Sequence, residues 1–489
     1  MMRSSTFLAV IRAAGMALIA IALVVTALAG CQLAPAHRQT PLPTPDSYAE
    51  PAAATIDSSA VPVFHAVDLG WRDFFADTRL QQVVSTALAH NRDLQVAVAE
   101  IEEARGLYRI QRADRLPSIG LGGDAARSRT RAIGVGDPGA AATVPMRSYA
   151  LDVGVSAFEL DFWGRVRNLS AAARGQYLAT VEARRAFELS LIRDVASTYL
   201  AALEAAERIE LAEATLASRL NGLRIARLRL DAGITSALDF RQAESLLTQA
   251  EADLASLRLS KAQNDNFLAV LIGTRIEAPL PEPLPLAQQA NAVTLMAGLP
   301  SELLVSRPDI LAAEQRLRAA RANIGAARAA FFPSITLTGS VGYASGELRD
   351  LVGSDNRVWN YGASVNLPIF DYGRNRGNLT VANARERIAL ANYERAIQTG
   401  FREVSDALAG RAHLAEQVAA QERGTAAQRH IAELARKRYR EGVVNYLEVL
   451  DAERNLFAAE QALLQLRRAQ ADNLVGLYIA LGGGGIERR

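Results

Sequence analysis

The sequence predicts a mainly α-helical chain with a short β section of membrane-spanning character, the whole plan written twice. Three observations predict it. Half of the 489 residues are hydrophobic but only 6% are aromatic, and alanine, leucine and arginine dominate, which favours helix over sheet through propensity. Long blocks recur at shifts of 216 and 209 residues. Within each copy the apolar spacing changes from alternate threes and fours, which reads as helix, to every second residue, which reads as strand.

The amino terminus comes first. Arg3 and Arg12 precede an uncharged run from Ala13 to Gly30, the layout of a secretory signal. It ends in "LAGC", and Cys31 is the sole cysteine of the chain. The stretch resembles a bacterial lipoprotein signal, which implies cleavage before Cys31 and a covalent lipid on it. An uncleaved membrane anchor and a buried free thiol remain as rivals, but small residues directly before a sole cysteine fit processing better. Gln32 stands where a retention signal would place Asp, which favours outer-membrane sorting. The segment "PAHRQTPLPTPDSYAEPAAA" that follows reads as an extended Pro-rich leader.

The repeats come next. "RLPSIGLGG" at 115–123 returns as "FFPSITLTG" at 331–339, and "DFWGRVRNLS" at 161–170 returns loosely as "DYGRNRGNLT" at 371–380. "ARLRLDAGITSALDFRQAESLL" at 226–247 returns as "ARKRYREGVVNYLEVLDAERNL" at 435–456. Each half is therefore one unit of helix, strand pair, long helix, turn and long helix. After the first turn Phe240, Ala243, Leu247, Ala250, Leu254 and Leu257 form a coiled-coil-like seam, and Val449, Ala452, Leu456, Ala459, Leu463 and Leu466 repeat it. A continuous arm from about Arg165 to Asp231 would reach roughly 100 Å at about 1.5 Å per residue. Ordinary core helices fit the spacing too, but rarely stay periodic for so long without caps.

The strand segments alternate instead. Tyr149, Leu151, Val153, Val155 and Ala157 form one apolar row, and Ile335, Leu337, Val341 and Tyr343 a second. Trp359, Tyr361, Ala363, Val365 and Leu367 form a third, and small or polar residues fall between the members of each row. Length, alternation and terminal aromatics match transmembrane β-strands. Four strands cannot close a barrel alone, since the smallest membrane barrels have about eight, and open edges are not tolerated in lipid. Several chains must pool their strands. A soluble sandwich fits the alternation as well, but leaves the long arms and the anchor unexplained.

Charge and residue inventory exclude other classes. The 54 basic residues less Arg3 and Arg12 leave 52 against 52 acids, so no nucleic-acid footprint is expected. One cysteine excludes an intrachain disulfide or a multi-cysteine metal site. His37, His65, His90, His413 and His430 are scattered and form no metal or triad pattern. "GLGGD" at 120–124 has no following helix or P-loop lysine. Neither an enzyme nor a cofactor is expected, apart from the lipid.

"GLPSELLVSRPDILAAEQRLRAARANIGAARAAFFPSITL" at 298–337 and "WRDFFADTRLQQVVSTALAHNRDL" at 71–94 carry a family resemblance. The chain resembles TolC-type outer membrane efflux proteins, in particular their lipoprotein, NodT-like or OprM-like branch. The resemblance implies a homotrimer: four strands per chain in one outer-membrane β-barrel, continued by a long periplasmic α-helical barrel. It implies a signal peptide at 1–30, a lipidated leader at 31–75, and repeats at 76–273 and 301–482. A Pro-rich equatorial linker at 274–300 and a flexible tail at 483–489, with "GGGG" at 482–485, complete the plan. Loops at about 129–147 and 345–358 would face outside.

Function follows from the same resemblance: a passive, gated exit duct for small molecules such as drugs. The partners implied are a periplasmic adaptor, an inner-membrane pump, proton-driven by preference, and outer-membrane lipid. Protein export with an ATP-driven pump and a non-conducting structural lipoprotein are the alternatives. Gly233 and Gly442 match the periplasmic hairpin tips and adaptor contacts, where a positive φ suits glycine. Glu448 and Asp451 fall on the acid positions of the pore gate, three residues apart on one helix face. Three copies of each would make a ring attracting cations. Asp239 and Tyr439 match a polar link that locks adjacent tips. Val444 replaces an arginine used in some relatives, leaving Arg438 or Arg440 to substitute. The plainer reading of Glu448 and Asp451 is two solvated helix acids paired with Arg454.

Overall fold

A computed structural model describes residues 32–36, 43–48, 63–133, 141–276, 279–290, 294–296 and 298–484. Cys31 and the signal at 1–30 lie outside the described residues, as does the tail from 485. In chain order the main elements are β1 (Val63–His65), α1 (Thr78–His90), α2 (Arg92–Ala113), β2 (Ile119–Ile133) and β3 (Ala141–Leu160). Next come α3 (Arg165–Asp231), α4 (Ala237–Ile272), β4 (Thr294–Met296) and α5 (Pro308–Ala329). The second half closes with β5 (Ser334–Ser345), β6 (Arg357–Asn366), α6 (Arg374–Arg440) and α7 (Tyr446–Ala480). The helix–strand pair–helical hairpin order thus occurs twice, and α3 and α6 are each 67 residues long. Among the described residues no helix is long and apolar enough to cross a membrane.

The chain divides into two compact units. One takes in residues 101–179 and 313–392, the other 41–100, 180–312 and 393–489.

The first unit is built on a four-stranded antiparallel sheet in the order β2-β3-β5-β6. Its register carries the alternation across strands. Ile119 faces Val155, Leu121 faces Val153, Val153 faces Val341, Val341 faces Trp359 and Ile335 faces Val365, so one face is continuously apolar. The other face is small and polar: Ser340 lies opposite Gly154 and Asn360, and the Asn360 amide donates to the Ser340 hydroxyl at 2.8 Å. Trp359 and Tyr361 stack with ring centroids 5.5 Å apart. Among the described residues β2 and β6 have no partner on their outer sides.

The strands run beyond the expected loop boundary. Residues 129–133 and 141–147 belong to β2 and β3. Arg129 is paired with Pro145 and Arg127 with Arg147. The backbone ladder continues there without any apolar pattern, because hydrogen bonding between strands does not need a buried face. The second loop matches expectation more closely: two short 3-10 turns, Leu348–Asp350 and Ser354–Asn356, precede β6.

An aspartate starts each long helix after the sheet. Asp161 accepts from the Val166 and Arg167 amides at 3.1 and 2.6 Å; Asp371 accepts from those of Gly373 and Asn375 at 2.9 Å each. At the first junction Trp163 stacks on Phe332 at 4.6 Å, and its indole donates to the Pro333 carbonyl at 2.8 Å.

The second unit contains the helical hairpins from residues 180 and 393 onward and the largest core. Trp71, Leu80, Ile192, Leu200, Leu477 and Tyr478 are almost wholly buried, and Phe74 stacks on Tyr478 at 4.0 Å. Among the described residues the Pro-rich break has no helix before one turn at Leu286–Gln289, and β4 beyond it pairs in parallel with β1. Asp77 ties this region together. One of its oxygens caps α1 through the Arg79 and Leu80 amides. The other accepts from the Tyr199 hydroxyl (2.7 Å), the Leu284 amide (3.2 Å) and the Gln289 amide group (2.8 Å). In "SRPDI", Arg307 is clamped by Asp309 and by Glu403 at 2.7 Å each, and donates to the Ala480 carbonyl at 3.2 Å.

The seams form, but unequally. Ala243, Leu247, Ala250, Leu254 and Leu257 are buried, the last two in a cluster with Ala212 against which Phe457 packs, whereas Phe240 is half-buried. In the second hairpin Val449 and Ala452 are buried against Ala432 and Ala435, while Leu456, Ala459, Leu463 and Leu466 are half-buried. The expected flexible "GGGG" is corrected at its start. Gly482 and Gly483 are buried, and a Cβ there would come within 2.8 Å of the Ser306 carbonyl and 2.3 Å of the Tyr478 ring. These glycines permit close packing.

Candidate functional site

The hairpin tips lie in the second unit, and the same local chemistry builds both. α3 ends on Gly233 at φ +69°, with Gly233 N–H to Leu230 O and Ile234 N–H to Arg229 O at 2.9 and 2.8 Å. α6 ends on Gly442 at φ +76°, with Gly442 N–H to Tyr439 O and Val443 N–H to Arg438 O at 3.0 and 2.9 Å. Both are Schellman closures, whose left-handed residue is best as glycine. Ser236 and Asn445 then cap the returning helices, accepting from the Asp239 and Glu448 amides at 3.2 Å each.

The candidate residues are not joined as a lock within one chain. Asp239 turns back on its own cap, accepting from the Thr235 hydroxyl at 2.7 Å and from the Ser236 hydroxyl and amide at 2.9 and 3.2 Å. The Thr235 bond first, and then those from Ser236, hold its carboxyl below the usual range. Tyr439 instead accepts from Arg229, whose guanidinium lies 5.0 Å from the Tyr439 ring centre. Glu448 pairs with Arg438 at 2.5 Å and Asp451 with Arg454 at 3.0 Å, all four side chains solvent-accessible. Arg438 is thus engaged inside its own hairpin, while Arg440 is exposed and Val444 half-buried.

Sequence reasoning missed the links that join the two hairpins. Arg219 on α3 meets Glu453 on α7 at 2.8 Å, and their side chains are only 5% and 12% exposed; Arg436 on α6 holds the other Glu453 oxygen at 2.9 Å. Higher on the same helices Glu204 accepts from Arg208 and Arg468 at 2.9 and 3.2 Å, and Arg208 donates to Gln461. Near the tips Tyr446 sits over Gly222, where any Cβ would meet its hydroxyl at 2.2 Å. Burial first, then the Glu453 carboxylate, push the Tyr446 hydroxyl up. The available signal was weak: Glu204, Arg208 and Arg219 share one stripe with Ala212 and Thr215 at fours and threes, a spacing that a solvated helix face shows as well. Among the described residues no three His, Cys, Asp or Glu side chains converge as a metal site.

What the arrangement can do is mechanical and electrostatic. Accessible ion pairs such as Glu448–Arg438 contribute about 0–1 kcal/mol and can exchange partners readily, whereas the Arg219–Glu453 pair is dry and harder to part.

The family model described as outer membrane efflux protein matches residues 83–274 and 299–483. The cation efflux system protein CusC of Escherichia coli is 39% identical over 466 residues, covering 94% of this chain and 98% of CusC. The toluene efflux pump outer membrane protein TtgF of Pseudomonas putida is 42% identical over 464 residues, covering 94% and 95%. The crystal structure of the open state of the Neisseria gonorrhoeae MtrE outer membrane channel superposes with a TM-score of 0.82 at 40% identity, covering 93% of this chain and 98% of that one. The chain belongs to the outer membrane efflux protein family.

Proposed function

We propose that this protein is the exit duct of a tripartite efflux system, working as a homotrimer that carries small molecules across the outer membrane. The observation that carries the reading is the sheet: one apolar face, one small polar face and two edges unpaired among the described residues. Lipid would demand that both edges be closed by other copies, with the polar faces turned to a common lumen. The family supports the duct and its cooperation with an adaptor and an inner-membrane pump. Transport within the chain is passive, and the pump is proton-driven.

In this reading Cys31 carries the lipid, and the turns at Gly233 and Gly442 meet the adaptor. Glu448 and Asp451 line the closed aperture, with Asp239 and Tyr439 helping to hold it. The arginine partners temper the expected acid ring: three copies bring Arg438 and Arg454 along with each pair of acids, so cation preference is modest until the pairs part. The cargo is a small cation or an organic solvent, the classes served by the relatives' systems as named. Expression in a strain lacking its own duct, together with a matched adaptor and pump, should restore tolerance to metal cations or to toluene. Tolerance to neither, with trimers present in the outer membrane, would reject the reading.

A further inference from the structure

The apolar face of the sheet ends on arginine. Along β3 it runs Leu160, Phe158 and, past a bulge, Val155, Val153, Leu151 and Tyr149. The next residue of that row is Arg147, directly opposite Arg127 of β2, and Arg129 follows opposite Pro145. On β6 the same face passes Val365, Tyr361 and Trp359 and then reaches Arg357, opposite Tyr343. Both strand pairs change at the end away from the helices, since α2 and α3 join the sheet at the Ile119 and Leu160 end.

These arginines lack counter-charges. Arg127, Arg129, Arg147 and Arg357 are exposed, and among the described residues none of them forms an ion pair. Arg127 beside Arg147 sets like charges directly across two strands, which destabilises a sheet. The strands' own acids do not relieve it. Asp124 and Asp152 lie on the other face, opposite Ala150 and Gly122, and Glu159 pairs with Arg165. In the second loop Glu347 and Asp350 pair with Arg349, and Asp355 accepts from the Ser354 hydroxyl at 3.3 Å. An anion from outside the chain would relieve the repulsion.

The level of the cluster says which anion. Leu160 and Tyr149 are eleven residues apart, roughly 35 Å of strand at about 3.4 Å per residue with allowance for the bulge. Tilted by about 40°, that strand rises about 27 Å, close to the apolar band of about 25 Å in membrane barrels. With Tyr149 and Trp359 at the rim of the band, the arginines stand where lipid phosphates lie. Guanidinium groups grip phosphate oxygens bidentately, and three of them on adjacent strands suit a headgroup with more than one phosphate.

We infer that Arg127, Arg129 and Arg147 form a binding site for the multiply phosphorylated headgroup of an outer-leaflet lipid, with Arg357 giving a separate contact on β6. The site fixes the height of the sheet in the membrane and selects the lipid beside it. The inference rests on the reading that the apolar face meets lipid, and adds the headgroup chemistry to it.

The test is native mass spectrometry of the full-length trimer in detergent, titrated with bisphosphorylated lipid A beside phosphatidylethanolamine. The parent should prefer lipid A. Replacing the three arginines together, Arg127→Gln, Arg129→Gln and Arg147→Gln, should weaken its binding on the order of a hundred-fold, about ten-fold or less for each charge. Lysine at the same three positions should stay within about ten-fold of the parent, because the charge remains. The same spectra show whether each variant is still a trimer. Equal binding by the parent and the glutamine variant would overturn the site, and displacement of lipid A by inorganic phosphate would reduce it to a free-anion site and overturn the lipid. A spin label on Val341→Cys separates the two levels of failure. A label in contact with lipid-dissolved oxygen, with no effect of the glutamines, overturns the arginine site alone; a label in water overturns the lipid-facing reading as well.

Discussion

Asp239 and Glu448 occupy the same place in the two repeats, 209 residues apart, yet their carboxylates go different ways. Each is the third residue after a capping side chain, and each backbone amide is held by it. Asp239 folds back to complete a capping box with Ser236, whereas Glu448 reaches across the turn to Arg438. The shorter side chain stabilises its own helix end; the longer one leaves that task to Asn445 and ties the two helices of its hairpin. Asp239→Ala should therefore loosen the first tip, raising amide exchange over residues 236–242 by about five-fold for a loss on the order of 1 kcal/mol. Glu448→Ala should change exchange over residues 445–451 much less. Equal effects at both tips would refute the division of roles.

The same carboxylate sets an acid limit. A carboxyl held below its ordinary range contributes stability that is complete above the unfolded value of about 3.9 and is lost as pH falls through the folded value. With the Thr235 and Ser236 bonds lowering Asp239, exchange at the first tip, corrected for intrinsic rate, should be flat from pH 7 to 5. It should rise only below about pH 4. A rise between pH 6 and 5 would mean that the cap does not control the tip.

Arg219 and Glu453 should hold the second hairpin against the first. Removing one partner of a buried pair typically costs about 3–5 kcal/mol, and Arg436 remains to Glu453, so Arg219→Ala belongs at the low end of that range. Thermal melting should fall, and mean conductance should rise because α7 is less tightly tied to α3. Arg219→Lys should recover part of both. An unchanged melt and conductance would reduce the pair to packing.

Tyr48 offers a test in the opposite direction. It stacks on Phe401 at 5.1 Å, but its buried hydroxyl has no hydrogen-bond partner among the described residues, and burial pushes its pKa to about 12. Removing an unpaired buried hydroxyl is neutral or stabilising by up to about 1 kcal/mol. Tyr48→Phe should melt at the same temperature as the parent or slightly higher. A clear loss of stability would show that the hydroxyl is bonded.

The legible parts of the fold were those with a period. Ile335, Leu337 and Val341 announce a strand because one face is apolar, and Ala243 to Leu257 announce a seam at threes and fours. Where β2 and β3 pass Ser128 and Met146 the row that was apolar carries Arg127, Arg129 and Arg131 opposite Arg147, Pro145 and Thr143, so the apolar period stops and the strands' true length is invisible. At the candidate site the glycine turns and caps were readable, because backbone geometry selects their residue types. The partners were not. Asp77 is recognisable as a cap before α1, but its second oxygen is shared among Tyr199, Leu284 and Gln289, residues more than 100 positions away. Likewise nothing local says that Arg229 will meet Tyr439 while its repeat equivalent Arg438 meets Glu448.

The most direct test of the duct is single-channel conductance of the purified trimer in a planar bilayer, comparing the parent with Glu448→Ala plus Asp451→Ala. The account predicts a small, weakly cation-selective conductance in the parent. In the double variant, where Arg438 and Arg454 lose their acids, conductance should rise or cation selectivity should vanish. Correctly assembled trimers that never conduct, the double variant included, would contradict it.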